Sequence, residues 1–202
     1  MVDNKGSRAA GDDFVFLNVP YSERNENQLV ALTAALIAVG RTPCLTLQLP
    51  DRGEGRLRRT FALLKSCSIS IHDLSFVGTP VRFNMPFELG IACAIKERSR
   101  RHSFLILVRK PHQLLRYLSD MNGIDTIAHY GTVSGTISAV LCALVSKENN
   151  PTTESVLRLH RRMLSLLPRL KATHGSRFLF NTQVYSDLVW FGWELSYEMD
   201  LN

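Results

Sequence analysis

Phe14 to Val19 is an apolar run, interrupted by Asn18 alone and stopped by Pro20. A strand with one face in water alternates apolar and polar residues, and this stretch does not. It suits a strand buried on both faces, the kind found in parallel sheets covered by helices. Phe104-Leu105-Ile106-Leu107-Val108 repeats the pattern further on. With helical periodicity between them, two such runs constrain the chain to the α/β class.

The intervening segments fill in that plan. Asn27 to Val39 carries apolar residues at helical spacing and stops at Gly40, a C-cap signal. Pro43 to Leu49 reads as a second strand. The polar turn Asp51 to Gly55 leads to a helix through Leu57, Phe61, Leu64 and Lys65. Ser68 to His72 reads as the third strand, and a loop from Asp73 to Arg82 follows it. A helix carrying Glu88 ends near Ser99. After the Phe104 strand come a short helix, Gln113 to Leu118, a strand, Asp125 to Tyr130, and a helix, Thr136 to Lys147. Five strands alternating with helices predict a doubly wound parallel sheet with right-handed crossovers over residues 13–148.

Residues 1–12 are polar and predict a mobile lead-in. Residues 149–202 predict a helical C-terminal extension. Thr153 is placed to cap a basic amphipathic helix that Pro168 should end or kink. His174-Gly175 reads as a turn. Asn181 can cap a last helix bearing Trp190, Phe191, Trp193 and Tyr197. That helix is apolar on most sides, so it must bury itself against the domain or against another copy of the chain. A homo-oligomer is the expectation.

The net charge is +6, spread over small arginine clusters at 56–59, 98–101 and 158–162. These read as solvated faces, or as attraction for a phosphorylated ligand; no nucleic-acid motif accompanies them. The four cysteines form no C-x-x-C pair and each sits among apolar residues. They read as buried small hydrophobes in a reducing compartment, neither a disulfide framework nor a metal site. Met1 to Asp13 lacks the apolar core of a signal peptide, and no apolar run approaches membrane-spanning length. A cytoplasmic chain is expected.

The candidate chemistry gathers where strands end. In an open α/β sheet, ligands bind at the carboxyl ends of the strands. Glu88 stands in the first turns of an otherwise apolar helix that follows the third strand. It is either a carboxylate that complements the helix dipole or one held to stabilise a cationic sugar carbon. Asp73 ends the third strand, as an Asx turn or as an acceptor for ribose hydroxyls. His72 is a strand residue facing a neighbour or an acid–base group. Asn18, Pro20 and Tyr21 end the first strand. Tyr21 offers a ring for stacking and a hydroxyl for a carboxylate, or is part of a plain turn. Asn84 can cap the Glu88 helix and still face a ligand. Arg82 and the segment Arg52 to Arg59, with Gly53 and Gly55, are candidates for an anionic group without P-loop spacing.

Phe16-Leu17-Asn18-Val19-Pro20-Tyr21 resembles the first strand and loop of nucleoside 2-deoxyribosyltransferases. Ile71-His72-Asp73 resembles that family's strand-three aspartate, and Pro86-Phe87-Glu88-Leu89-Gly90-Ile91-Ala92 resembles its glutamate motif. NAD-hydrolysing TIR domains share this flavodoxin-like layout and also rely on a glutamate borne on a helix. The likeness covers about residues 14–131. It implies that Glu88 attacks or stabilises the anomeric carbon of a ribosyl group, that Asp73 binds sugar hydroxyls and that Tyr21 orients the carboxylate. It implies a nucleotide or nucleoside ligand, with NAD as substrate and no bound cofactor. Asn18 and Val19 replace the smaller residues usual in the transferase turn. The loop Phe76 to Arg82 lacks the transferases' acidic, Gly-rich stretch. N-glycosidic cleavage of a nucleotide is therefore expected ahead of deoxyribosyl transfer, with a nucleotide-sensing or assembly module as the non-catalytic alternative. The resemblance to prokaryotic TIR-like hydrolases also permits a role as an antiviral effector.

Overall fold

The computed structural model describes residues 13–50, 53, 55–76, 83–99, 101–114, 118–121, 123–144 and 151–201. The expected lead-in, Arg52, Arg82, the linker at 149–150 and parts of the predicted helices at 113–118 and 136–147 lie outside them. Five strands, β1 (Phe14–Asn18), β2 (Thr42–Cys44), β3 (Ile69–Asp73), β4 (Ser103–Val108) and β5 (Thr126–Ala128), pair in parallel in the order β2-β1-β3-β4-β5. Among the described residues six α-helices flank them: α1 (Glu26–Ala38), α2 (Gly55–Ser66), α3 (Asn84–Arg98), α4 (Val133–Leu144), α5 (Thr153–Thr173) and α6 (Thr182–Glu198). This is the flavodoxin-like doubly wound fold. Its strand order reverses between β1 and β3, and that switch point opens a crevice at the carboxyl ends of the strands.

The period of two along each strand divides the core. Val15, Leu17, Ile71 and Leu107 face a layer of α1, α4, α5 and α6. Phe16 faces Leu63 and Leu64 of α2 and Ala92 of α3, and Ile106 and Val108 face Leu89 of α3. Helix α1 is buried without a break from Leu29 to Ala38, because α5 and α6 cover the side that the sheet leaves open. It ends in a Schellman motif: Gly40, at φ +71°, donates to the Ile37 carbonyl and Arg41 to that of Leu36. Gly192 lets α6 lie close, since a Cβ there would stand 2.6 Å from Ile37 Cδ1. Between the same helices, the Thr33 and Tyr185 hydroxyls bond at 3.1 Å. Residues 151–201 thus belong to the same core as the sheet.

Several expectations are corrected. Strand β2 stops at Cys44 instead of reaching Leu49. The Gln48 side chain accepts from the Leu45 N–H at 2.9 Å and turns the chain into a single 3-10 turn. Helix α5 does not end at Pro168 but runs on to Thr173. A proline inside a helix costs about 3 kcal/mol, but this one is on the exposed face while Leu167 and Leu170 on either side are held in the core. The α5 cap is Thr152, whose side chain accepts from the Ser155 N–H, one residue before Thr153. Asn181 caps α6 as expected, accepting from Gln183 and Val184. Cys142 is exposed, because it falls off the buried stripe of Ile137, Val140 and Leu141; Cys67 is buried, and Cys44 and Cys93 half-buried. No helix among the described residues is long and apolar enough to cross a membrane.

Candidate functional site

At the switch point Asn18 pairs with His72 across β1 and β3. Both amide hydrogens of Asn18 are used within the protein. Its Nδ2 donates to His72 Nδ1 at 2.9 Å and to the Met85 carbonyl at 3.0 Å. Asn18 therefore fastens the first turn of α3 to the sheet edge and fixes where Glu88 stands. Asn84 does not cap that helix. It is the first helical residue and exposed, the capping position falls on Phe83, and no side chain caps there. Pro86, at the third helical position, has no N–H for a cap to bond.

Glu88 is buried, with its side chain 7% exposed. Its neighbour is Arg56 in the first turn of α2, whose Nη2 lies 3.9 Å from Glu88 Oε1. Burial pushes the Glu88 carboxyl above the ordinary carboxylate range, and Arg56 draws it part of the way back. The Arg56 guanidinium also covers the Tyr21 ring, 5.2 Å from its centroid. Burial pushes the Tyr21 hydroxyl up to about 12; Arg56 opposes the shift, and the Glu88 charge adds to it. Arg56 makes an ion-pair contact with the carboxylate, and Tyr21 lies close enough for the Glu88 charge to act on its hydroxyl. The ring of Tyr21 stacks on Phe180, from the segment between α5 and α6, at 4.8 Å and 21°. Pro20 is buried, and its carbonyl accepts from Asn25 Nδ2, which closes the turn beneath Tyr21.

Asp73 has the local role expected of a strand-ending aspartate. Its Oδ1 accepts from the Ser75 N–H at 2.9 Å, an Asx turn. His129, just past β5, faces the same carboxylate at 3.7 Å and makes a short contact with the Ser75 hydroxyl, both through Nε2. The Gly131 N–H donates to His129 Nδ1, so the neutral ring carries its proton on Nε2, toward Asp73 and Ser75. Phe76, Phe83 and Phe87 present exposed rings on the segments after β3 and in the first turn of α3. A groove of about 590 Å³ between α2 and α3 is lined in part by Leu57 and Phe87.

Beneath the site runs a chain of buried polar groups. The Cys67 carbonyl can only accept, so His102 Nδ1 donates to it at 2.9 Å. His102 Nε2 then accepts from the Ser70 hydroxyl, and Ser70 Oγ accepts from His72 Nε2. That leaves His72 Nδ1 to accept from Asn18. Both ends fix the direction, so every member is satisfied with both imidazoles neutral. Phe16 and Phe104 flank His72 edge-on. Burial, with a smaller contribution from His102, pushes His72 down to about 3. Between pH 6.5 and 3 the unfolded chain then binds a proton at this residue that the folded chain refuses. Stability is present above pH 6.5 and is lost as pH falls through this window, by about 1.4 kcal/mol per pH unit for one proton. An NMR titration of the imidazoles should leave His72 uncharged at pH 4.5; a midpoint near 6.5 contradicts this.

The sheet edge thus brings together Asn18, Pro20, Tyr21, Asp73 and Glu88, with Asn84 at its rim. Arg56, Phe180 and His129 join them without having been singled out from the sequence. His129 had a signal, since it follows a strand as Asp73 does. Arg56 stood in the arginine-rich segment without distinction. Phe180 had none. No family model, curated protein or solved structure matches this chain.

Proposed function

We propose that this protein hydrolyses the N-glycosidic bond of NAD or a related nucleotide, with Glu88 as the catalytic carboxylate. One observation carries the reading: a buried carboxylate, its pKa raised by burial, stands in the first turns of α3 beside the switch point. Burying a carboxylate is costly unless something compensates it. A ribosyl cation forming beside Glu88 supplies the compensating charge, and the site is then more complementary to the transition state than to the free state.

The leaving group decides between substrates. In NAD the base is a pyridinium. When the C1′–N bond breaks, its electron pair returns to the ring and nicotinamide departs neutral, with no proton required. Water adds to C1′ and its proton goes to Glu88 and then to solvent. A purine leaving a deoxynucleoside needs a proton donor as well, so one carboxylate suits the pyridinium better. Arg56, about half exposed, keeps Glu88 nearer its ionised form and stands where a substrate phosphate can meet it. The exposed rings of Phe76, Phe83 and Phe87 offer faces for a base. Pure protein incubated with NAD should release nicotinamide and ADP-ribose, resolved by chromatography. Turnover of deoxynucleosides without NAD cleavage selects the transferase reading instead.

A specific observation also favours assembly. Helix α6 buries Val184, Tyr185, Leu188 and Val189, but Trp190 and Tyr197 stay exposed on the other side, with Phe191 partly exposed beside Trp190. One chain does not cover this stripe. A second copy covers it in our reading, as expected of a large exposed aromatic patch. Sedimentation of the full chain should show an oligomer that Trp190→Glu with Tyr197→Glu returns to monomer. A wild-type monomer over a wide concentration range excludes it.

A further inference from the structure

A second concave site lies at the opposite edge of the sheet, where β3 and β4 begin. A cavity of about 500 Å³ opens there between the last turns of α2 and α3. That volume falls in the range of about 300–1,000 Å³ usual for small-molecule sites. Its lining includes Phe61 and Ile95 on the apolar side, Lys65, Arg98 and Arg101 on the charged side, and His102. Among the described residues that line it there is no carboxylate. Lys65 and Arg98 stand in the last turns of their helices, where a cation already favours the dipole. Arg101 lies beyond α3 and has no such role. Lys65 Nζ sits 4.6 Å from the centre of the Phe61 ring, so charge and aromatic surface meet in one place. His102 is buried and held at both nitrogens, by the Cys67 carbonyl and by Ser70. The wall it forms is fixed in place, and the cations around it are long side chains.

We propose that this cavity binds a nucleoside monophosphate or a molecule of the same build. A flat ring lies against Phe61 and Ile95, and a phosphate is held by Arg98, Arg101 and Lys65. Phosphate matches guanidinium groups in geometry and charge, and a ring completes the apolar wall. The site is separate from Glu88, Arg56 and Tyr21, which stand at the carboxyl ends of the strands, and it does not depend on the activity proposed for them.

Calorimetric titration of the full chain with AMP, adenosine and inorganic phosphate tests this. AMP should bind at least tenfold more tightly than either half. Arg98→Glu with Arg101→Glu should weaken AMP at least tenfold and leave the melting temperature unchanged, since Arg98 and Arg101 are both exposed. Arg56→Ala, which alters only the site at the carboxyl ends of the strands, should leave intact the AMP binding that Arg98→Glu with Arg101→Glu removes. In the wild type the imidazole signals of His102 should shift on addition of AMP. No binding at millimolar AMP, or an affinity that depends on Arg56 and not on Arg98 and Arg101, overturns the proposal. Failure to cleave NAD leaves it intact.

Discussion

Glu88→Gln should keep the fold and abolish base release. Glutamine has the size and shape of the carboxyl group it replaces but carries no charge, so it can neither stabilise a ribosyl cation nor take the proton from water. Losing one electrostatic stabiliser of this kind costs about 10²–10³ in rate. The same change should leave the melting temperature unchanged or raise it. Burial disfavours the ionised Glu88, and a neutral amide removes that cost. The contact with Arg56 gives little in return, because it is 3.9 Å long and its arginine is half exposed. The pH dependence follows the same logic. A protonated Glu88 cannot stabilise a cation, and its pKa lies above the ordinary carboxylate range. The acid limb of kcat should therefore fall at higher pH than an exposed glutamate gives. Arg56→Ala removes the group that draws this pKa down, so it should move the limb to higher pH still. If Glu88→Gln turned over NAD at the wild-type rate while losing stability, Glu88 would be a structural carboxylate.

How far the chain could be read depends on the range of the interactions. Strand β1, the helix stop at Gly40 and the α6 cap at Asn181 were legible because each is decided within a few residues, by an apolar run, a left-handed turn or a side-chain acceptor. The doubly wound parallel sheet followed from strands alternating with helices; the strand order that sets Asn18 beside His72 is read from the structure. The Arg56 contact, the Phe180 stack and the chain from Cys67 to Asn18 join residues far apart in sequence, and periodicity carries no trace of them. The cap at Asn84 and the helix end at Pro168 were misread for a related reason. Each was judged on its own propensity, and in each case the neighbours decided: Pro86 lacks one N–H that a cap at Asn84 could bond, the Phe87 N–H goes to the Phe83 carbonyl, and Leu167 and Leu170 hold α5 in place through the proline.

The helices that follow residue 149, expected from composition as an extension, share the core with the sheet and α1. A chain ending at Asn150 should not fold. It loses α5 and α6, where Val156, Leu159, Met163, Val184 and Leu188 have no exposed surface. At about 1.5–3 kcal/mol for each such side chain, these five alone match a domain's usual net stability of about 5–15 kcal/mol. Their partners suffer as much. Helix α1 is apolar and buried from Leu29 to Ala38, and without α5 and α6 one whole side of it meets water. Glu26 loses Lys171 and the Leu179 N–H, the two groups that its carboxylate holds at 2.5 and 2.6 Å. Tyr21 loses the Phe180 ring beneath it, so any fraction that stays compact also loses a wall of the candidate site. The expected result is an insoluble chain, or a soluble one with helical circular dichroism but no cooperative melting. Tyr185→Phe separates packing from polar contacts in the full chain. It keeps the ring and removes the bond to Thr33, at a cost of about 0.5–1.5 kcal/mol. It should melt cooperatively a few degrees lower. A chain ending at Asn150 that melts cooperatively and cleaves NAD would show that residues 13–148 fold and act alone, with α5 and α6 only added to a finished domain.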